Sequence, residues 1–329
     1  MNPLLSNSIQ RLHSTLYTEM HHVNTVILEH LQSKVELVEQ VGKHLVLGGG
    51  KRIRPLLTLA CSRLFQDSPG FAIHLAAAVE LIHTATLLHD DVVDDSNMRR
   101  GKRTANDVWG NNASVLVGDF LFSRAFQLMV ETGNLDVLAS LSNAAARITE
   151  GEVLQLTSAY SLDLSIETYL EIISSKTASL FGAACQVGGG IADANSIFQA
   201  DLYQFGHSLG MMFQIRDDIL DYLSVSADSG KEKGSDFLEG KVTLPVILAY
   251  QKGLNCPFWK SHFEGNLSDH DAALKTAISI FEDNDIFDCC DQIAQTYYKK
   301  ALDALGKLPK TLIWNDLKEL IEYSLNRQS

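Results

Sequence analysis

Two short acidic runs are the residues in this sequence best suited to chemistry. Asp90 and Asp94 belong to the first run, Asp-Asp-Val-Val-Asp, and Asp217 and Asp221 belong to the second, Asp-Asp-Ile-Leu-Asp. Residues four positions apart share one face of a helix, so each run predicts a pair of stacked carboxylates. Such carboxylates repel one another unless a cation lies between them, and their hard oxygen atoms suit Mg²⁺. One run alone is more often a solvated helix end, but two runs after apolar stretches indicate a metal site.

Basic residues lie near both acidic runs in the sequence and suit a bound phosphate. Lys51, Arg52 and Arg54 follow three glycines, and Arg99 and Arg100 follow the first acidic run. Arginine contacts phosphate oxygens through a planar pair of donors, whereas lysine supplies a compact charge. Separate clusters of aspartates and cations predict two phosphate contacts, one bridged by metal and one made directly by basic side chains. The cations that flank the second run are Lys176, Lys231 and Lys241.

Long apolar stretches with few prolines predict that helices position these charges. Leucine, valine and isoleucine recur at three- and four-residue steps, as in amphipathic or buried helices. The predicted helices cover residues 8–46, 71–94, 113–131, 135–157, 166–191 and 197–223. Residues 96–112 are predicted as a basic loop with a short helix, and 224–241 as a polar loop. No linker or series of strands is evident, so we predict one large all-α domain over residues 1–329.

The composition restricts the classes of protein that this chain can belong to. With 329 residues, 46% of them apolar, the chain can bury a large core. Its net charge of -13 argues against a nucleic-acid partner. The five cysteines lack paired spacing, which favours a reduced, cytoplasmic compartment and argues against a zinc site. No run of 18 apolar residues occurs, so no transmembrane segment is expected.

Eight short motifs follow one another between residues 49 and 245. They are Gly-Gly-Lys-Arg-Ile-Arg-Pro (49–55), Leu-Leu-His-Asp-Asp-Val-Val-Asp (87–94), Met-Arg-Arg-Gly (98–101), Gly-Asp-Phe-Leu (118–121), Gly-Glu-Val-Leu-Gln (151–155), Lys-Thr-Ala (176–178), Phe-Gln-Ile-Arg-Asp-Asp-Ile-Leu-Asp (213–221) and Glu-Gly-Lys-Val-Thr-Leu-Pro (239–245). In this order they resemble the trans-type polyprenyl diphosphate synthases, especially the long-chain bacterial octaprenyl and decaprenyl enzymes. The resemblance covers about residues 30–250 and is loose over the C-terminal quarter.

The resemblance implies an all-α fold of about a dozen antiparallel helices around a central cavity, assembled as a homodimer. It implies a head-to-tail prenyltransferase that adds isopentenyl diphosphate units to an allylic diphosphate such as farnesyl diphosphate. The product would be an all-trans octaprenyl or decaprenyl diphosphate for a respiratory quinone side chain, as in ubiquinone biosynthesis. The implied cofactor is Mg²⁺, as three ions bound with the allylic diphosphate. Release of the product to a membrane is compatible with this resemblance.

The resemblance also implies a role for individual residues. The metal-binding and catalytic carboxylates would be Asp90, Asp91, Asp94, Asp217, Asp218 and Asp221. The cations on the allylic diphosphate would be Arg99, Lys176, Lys231 and Lys241. The isopentenyl diphosphate pocket would consist of Lys51, Arg54, His83 and Arg100. Thr177 and Gln214 would lie near the reacting carbons. A lone histidine on an apolar helix, such as His83, is more often a hydrogen-bonded core residue.

Small residues one helical turn before Asp90 predict a long product. Ala85 and Thr86 leave room below the aspartate, whereas a bulky aromatic side chain there would close an apolar tunnel early. The floor of the tunnel is predicted on the next apolar helix, at Phe122, Phe126 or Met129. Ordinary core packing predicts the same residues, so the pattern leaves both interpretations open.

Three further charged residues are interpreted separately. Arg216 precedes the second run where the long-chain enzymes usually have an apolar residue, and we expect it to pair with Asp217 or Glu239 or to face solvent. Such a cation could also weaken metal binding at that run. Glu150 and Glu152 are interpreted as ordinary solvated charges.

Several alternatives to a long-chain synthase remain at this point. A shorter-chain geranylgeranyl or farnesyl diphosphate synthase would share the motifs. A terpene cyclase would not need a second basic cluster and typically has a degenerate second acidic run. A non-catalytic partner subunit would lose acidic-run residues, and this chain keeps all of them. An acidic helical scaffold leaves the order of the motifs unexplained.

Overall fold

The structure is a computed structural model that describes residues 6–46, 50–66, 70–223, 233–266 and 269–327. The helices in these ranges are α1 Ser6–Thr15, α2 Tyr17–His30, α3 Glu36–Val46, α4 Ile53–Arg63, α5 Ala72–Val93, α6 Ala105–Trp109, α7 Asn111–Glu131, α8 Leu135–Ser158, α9 Ile166–Ile173, α10 Ser179–Ile191, α11 Ser196–Leu223, α12 Ser235–Leu238, α13 Leu244–Gln251, α14 Cys256–Phe263, α15 His270–Asp283, α16 Ile286–Gly306 and α17 Leu312–Asn326. The predicted all-α class is confirmed.

The N-terminal region forms three helices where one long helix over 8–46 was predicted. Leu16 lies between α1 and α2, and Leu31 follows α2, and both side chains are fully buried. The apolar spacing therefore continues across the breaks, which is why periodicity alone predicted a single helix. Ser33 stabilises the second break, because its backbone N–H donates to the Glu39 carboxylate at 3.1 Å.

A small hairpin follows the first acidic run, in the segment predicted as a basic loop with a short helix. Strands β1 Met98–Arg99 and β2 Lys102–Arg103 pair in antiparallel register. Arg100 and Gly101 connect them with φ values of 53° and 72°. Positive φ at both central positions is typical of a two-residue hairpin turn.

The helices that carry the acidic runs lie in the middle of the packing. α5 packs on α4 and α7, and α11 packs on α10 and α16. Gly206 of α11 leaves no room for a side chain against the carbonyl oxygen of Phe181 in α10, so these two helices approach closely. The buried apolar side chains form one continuous cluster from Leu12 to Ile321. The single-domain assignment itself stays a prediction.

A π-helical segment interrupts the helix predicted over 166–191. Ser174–Ala178 adopts this wider turn between α9 and α10. Such segments are rare and occur frequently at functional sites. This one carries Lys176 and Thr177, and it packs against α8 and α11.

Among the described residues, two helices are long and apolar enough to span a membrane by length and composition alone. These are α5 and α7, with 61% and 39% of the most apolar window buried inside the protein. α5 carries the first acidic run and is the more enclosed of the two, as expected for a helix in a protein core. α7 keeps an exposed apolar face that includes Leu116 and Val130.

Candidate active site

A cavity of about 1450 Å³ brings the two acidic runs together. Asp90 and Asp94 reach it from α5, and Asp217 and Asp221 reach it from α11. Its wall also includes apolar side chains, among them Phe181. The cavity therefore combines a charged surface with an apolar surface, as a substrate with a diphosphate head and a hydrocarbon tail requires.

Lys241 connects the first run to the segment after α12. Its Nζ donates to Asp94 Oδ2 at 3.0 Å and to Glu239 Oε2 at 2.7 Å, and it lies 3.8 Å from Asp236 Oδ1. Burial alone lowers the pKa of Lys241, but these three carboxylates outweigh it and raise the pKa above its usual value. Lys241 is therefore a permanent cation at the rim of the first run.

Glu152 is a site residue that the sequence interpretation missed. It lies in the cavity wall, and its Oε2 accepts a 2.7 Å hydrogen bond from Lys176 Nζ. Burial, together with the negative charge of Asp90, raises the pKa of Glu152 to about 7, although Lys176 opposes the shift. The interpretation of Glu152 as a solvated charge is wrong, because Gly151 packs α8 tightly against the π segment. The motif Gly-Glu-Val-Leu-Gln was the signal that could have identified it.

Asp91 differs from its neighbours in the first run. Its side chain is buried, and the Nε and Nη2 atoms of Arg99 both lie 2.8 Å from its Oδ1 atom. Burial raises the pKa of Asp91, and the Arg99 charge acts against that shift. Within the described residues Asp91 Oδ2 is buried without a hydrogen-bond partner. Arg99 is thus paired with the protein, and one carboxylate oxygen is still available to a cation.

Asp218 is the most enclosed aspartate of the second run. Its Oδ2 accepts a 2.6 Å hydrogen bond from Tyr169 Oη, and its Oδ1 accepts a 2.8 Å bond from Gln214 Nε2. Gln214 Oε1 in turn accepts from Thr177 Oγ1 at 2.9 Å. Burial, followed by repulsion from Asp236, raises the pKa of Asp218 to about 7. Tyr169 was missed in the sequence because it lies in an apolar stretch far from the aspartates.

The other two aspartates of the second run contact different parts of the chain. Asp217 forms an ion pair with Arg327, which lies after α17 and over the Phe213 ring. Asp221 accepts a 3.1 Å hydrogen bond from Ser235 Oγ and another of 3.1 Å from the backbone N–H of Asp236. Asp221 thus fixes the start of α12, the segment that precedes Lys241.

Arg216 pairs with a residue that was not predicted. Its Nη1 donates to Asp291 Oδ1 of α16, and its Nη2 donates to the Arg327 carbonyl oxygen at 2.9 Å. The predicted partners, Asp217 and Glu239, pair instead with Arg327 and Lys241. The helix explains the difference, because successive residues are turned by about 100° and Arg216 therefore faces α16.

The basic cluster is contributed by residues around the start of α4, by α5 and by the turn between β1 and β2. Lys51, Arg54, His83 and Arg100 all line the cavity, and the charges of Arg54 and Arg100 both act on His83. Arg54 lies over the Phe181 ring at 4.6 Å, and burial lowers its pKa to about 10. Burial, and then the surrounding arginines, lower the pKa of His83 well below its usual value, so the imidazole is neutral.

The predicted chain-length residues lie in three different surroundings. Thr86 lines the cavity, whereas Ala85 is fully buried in the core and is not part of the described cavity wall. Residue 86 stacks under Asp90, but residue 85 is turned away by about 140°. Phe126 is 41% exposed on α7 and is not among the residues that line the described cavity. The roles predicted for Ala85 and Phe126 stay predictions, and Lys231 lies outside the described residues.

The donor set fits a divalent cation that arrives with additional oxygen ligands. Across the described ranges no three carboxylate, imidazole or thiolate groups converge closely enough to hold a metal by themselves. Hard carboxylate oxygens nevertheless line one cavity, and Asp91 Oδ2 and Glu152 Oε1 are buried there without hydrogen-bond partners. Magnesium prefers such oxygens and usually keeps water or phosphate in its coordination shell.

Comparison with known proteins identifies the class of this chain. The polyprenyl synthetase family model matches residues 35–281. The octaprenyl diphosphate synthase of Escherichia coli (strain K12) is 46% identical over 246 residues, which are 75% of this chain and 76% of that protein. The crystal structure of a decaprenyl diphosphate synthase from Rhodobacter capsulatus is similar with a TM-score of 0.92 and 44% identity, over 98% of this chain and 99% of that chain.

A polyprenyl synthase from Caulobacter crescentus CB15, crystallised with calcium and isoprenyl diphosphate, is similar with a TM-score of 0.93 and 42% identity over 98% of each chain. The present chain belongs to the polyprenyl synthetase family. It is an enzyme that transfers prenyl groups, and its relatives include long-chain polyprenyl diphosphate synthases. The family predicted from the eight motifs is confirmed.

Proposed function

We propose that this enzyme extends an allylic diphosphate, such as farnesyl diphosphate, with isopentenyl diphosphate units. The all-trans product would be octaprenyl or decaprenyl diphosphate, for the side chain of a respiratory quinone such as ubiquinone. One observation carries the proposal: a single cavity is lined both by the two acidic runs and by the basic residues Lys51, Arg54 and Arg100. The relative crystallised with calcium and isoprenyl diphosphate supports it.

The allylic diphosphate would occupy the side of the cavity formed by the acidic runs. Asp90 and Asp94 of the first run, with Asp217 of the second, are the carboxylates proposed to hold Mg²⁺, as three ions. Bound Mg²⁺ would neutralise the diphosphate and so make it a better leaving group. Lys176 and Lys241 would add positive charge there by turning from Glu152 and Glu239 toward the phosphate oxygens.

Isopentenyl diphosphate would occupy the basic cluster. Lys51, Arg54 and Arg100 would hold its diphosphate, and the neutral imidazole of His83 would add a hydrogen bond. This places the double bond of isopentenyl diphosphate toward the allylic carbon, so that positioning supplies much of the rate enhancement. Thr177 is proposed to face the reacting carbons through its hydroxyl, and the departing diphosphate is proposed to remove the proton.

We further propose that the enzyme works as a cytoplasmic homodimer built from single-domain subunits. The apolar side chains of Val115, Leu116, Phe126 and Val130 are exposed along α7. A second copy of α7 would bury this face, because exposed contiguous apolar surface favours association. The product would leave toward a membrane, where its hydrocarbon tail is soluble.

The purified chain, incubated with farnesyl diphosphate, labelled isopentenyl diphosphate and Mg²⁺, tests the proposal by product length. We expect an octaprenyl or decaprenyl product, and we expect Asp90→Asn to abolish turnover while the exposed-site control Asp303→Asn keeps it. A product that stops at geranylgeranyl length would favour the shorter-chain alternative. No elongation by the wild-type enzyme would overturn the proposal.

A further inference from the structure

Glu80 is a buried carboxylate among the cations of the basic cluster. It lies on α5 one turn before His83, and its side chain is 12% exposed. Burial raises its pKa, while Arg52, Arg54 and Arg100 pull the pKa down, so all three arginines act on this one group. Glu80 was not identified from the sequence, whereas Arg52 was grouped there with Lys51 and Arg54 as a cation suited to phosphate. A carboxylate beside an anion-binding cluster repels the anion, so the position of Glu80 requires a separate explanation.

The hydrogen bonds of Arg52 indicate the role of Glu80. Its Nη1 donates to Glu80 Oε1 at 2.7 Å, and its Nη2 donates to the Val46 carbonyl oxygen at 2.7 Å. Both ends of the guanidinium are therefore bound to the protein. The side chain joins the end of α3, the start of α4 and the middle of α5, and it is 13% exposed.

The backbone of Arg52 needs such a restraint. Its φ of 48° and ψ of 38° lie in the left-handed region, which residues with a side chain adopt at an energetic cost. The strained residue directly precedes α4 and lies between Lys51 and Arg54. Because each backbone angle at Arg52 sets the direction of its neighbours, the contact with Glu80 also fixes how Lys51 and Arg54 enter the cavity.

We propose that Glu80 and Arg52 form a positioning pair that sets the affinity for isopentenyl diphosphate. This inference rests on the proposed function, because it concerns the occupant of the basic cluster. Glu80 does not touch the substrate in this arrangement. It holds Arg52, and Arg52 holds the backbone that presents Lys51 and Arg54.

The variants Glu80→Gln and Arg52→Gln test the pair by steady-state kinetics with each substrate varied in turn. Glutamine at position 80 keeps the shape and one acceptor oxygen but replaces a charge-assisted hydrogen bond with a weaker neutral one. We expect the KM for isopentenyl diphosphate to rise about tenfold in either variant, while kcat and the KM for farnesyl diphosphate stay near wild type. The double variant should be no worse than the more impaired single variant, because the two residues act as one unit.

The pair Glu19–Arg63 is the matched control. Arg63 also lies on α4, and its Nη2 donates to the buried Glu19 Oε1 at 2.6 Å, outside the cavity wall described here. Glu19→Gln should lower the melting temperature without changing the KM for isopentenyl diphosphate. If Glu80→Gln only lowered the stability of the fold, its KM for isopentenyl diphosphate would stay unchanged, as in the control. A raised KM therefore distinguishes a positioning role from a purely structural one.

Calorimetric titration with isopentenyl diphosphate alone gives a second readout that requires no turnover. Weaker binding by Glu80→Gln supports the positioning role, whereas unchanged or tighter binding overturns it, because removing a negative charge would by itself attract the diphosphate. If Glu80→Gln does not fold, Arg52→Gln decides the same question. Since the wild-type enzyme is assayed in parallel, absent elongation by wild type counts against the proposed function and not against the pair.

Discussion

At the scale of single residues, hydrogen bonds to Asp218 determine how the second acidic run meets the substrate. Tyr169 and Gln214 donate to its two oxygens, and Thr177 donates to Gln214. Because these hydrogen bonds are linked in series, a shift of the Asp218 carboxylate would also move the Gln214 amide and the Thr177 hydroxyl, which face the cavity. Asp218 is therefore better described as an organiser of neighbouring groups than as an isolated ligand.

Removing the Tyr169 hydroxyl should disturb this arrangement. We expect Tyr169→Phe to lower kcat about tenfold and to cost roughly 1.5–3 kcal/mol of unfolding free energy, the usual value of a hydrogen bond to a charged group. Tyr222→Phe is the control, since Tyr222 is equally buried on α11 but its hydroxyl lies 3.5 Å from Thr243 Oγ1, a weak contact. Equal effects of the two variants on kcat would contradict the assignment.

His207 couples stability to pH beside the π segment. Its Nε2 lies 2.9 Å from Ser174 Oγ, and burial, followed by the charges of Arg147 and Lys300, lowers its pKa to about 4 from 6.5. In the unfolded chain His207 therefore binds a proton below pH 6.5, whereas in the folded chain it does so only below about pH 4. The stability contributed by neutral His207 is complete above pH 6.5 and decreases as the pH falls toward 4.

Urea unfolding at a series of pH values checks this linkage. We expect wild type to lose up to about 3 kcal/mol between pH 6.5 and 4 through this group, and His207→Gln to flatten that part of the curve. His21, which is exposed, provides the control His21→Gln with an unchanged curve. A slope in His207→Gln as steep as that of wild type would assign the acid sensitivity to other groups.

At the scale of helices, α5 places Ala85 and Thr86 in different surroundings, although the sequence predicted the same role for both. Ala85 is fully buried in the core, whereas Thr86 lines the cavity one turn before Asp90. We expect Thr86→Phe to shorten the product toward geranylgeranyl length, because the aromatic ring would close the space below the aspartate. Ala85→Phe should instead overpack the core, at a cost of about 1–3 kcal/mol, while product length stays long.

Chain-length analysis by chromatography, with melting temperatures measured in parallel, distinguishes the two variants. A shortened product from Ala85→Phe with wild-type stability would confirm the prediction from the sequence that Ala85 lines the tunnel. An unchanged product from Thr86→Phe would show that the limit on length lies elsewhere in the cavity.

The elements also show what the sequence could and could not predict. Apolar periodicity was sufficient to predict α5, α7 and α11, because each keeps one buried face over five or more turns. It could not predict the breaks at Leu16 and Leu31, since both residues are buried and fit either arrangement. The π segment was likewise hidden, because its residues Ser174–Ala178 are ordinary helix formers and the wider turn depends on packing against α8 and α11.

The residues of the site also fall into two groups, those that the sequence predicted and those that it could not. Aspartates and basic residues within local motifs were identified from spacing, because one helical turn is a local property. Partners distant in sequence were not, since Tyr169 with Asp218 and Arg327 with Asp217 meet only after the helices pack. The buried carboxylates Glu80 and Glu152 were missed for the same reason, as burial is set by the tertiary fold.

At the scale of the whole molecule, the exposed apolar face of α7 predicts that two copies of the chain associate through this helix. Leu116 is 68% exposed on this face, and Val130 is 63% exposed. We expect Leu116→Asp to convert a dimer into monomers in analytical ultracentrifugation, because a charge buried at an interface without a partner is strongly unfavourable. The matched control is Leu312→Asp on α17, where an 88% exposed leucine should accept the charge without a change in mass.

A dimer would also connect assembly with catalysis. α7 packs directly on α5, the helix that carries Asp90, so support of α7 by a second copy would keep the cavity wall rigid. The monomeric Leu116→Asp enzyme is therefore expected to retain its helical content by circular dichroism but to lose turnover and thermal stability together. A fully active monomer would contradict this coupling, and a variant that remains dimeric would place the interface on another face.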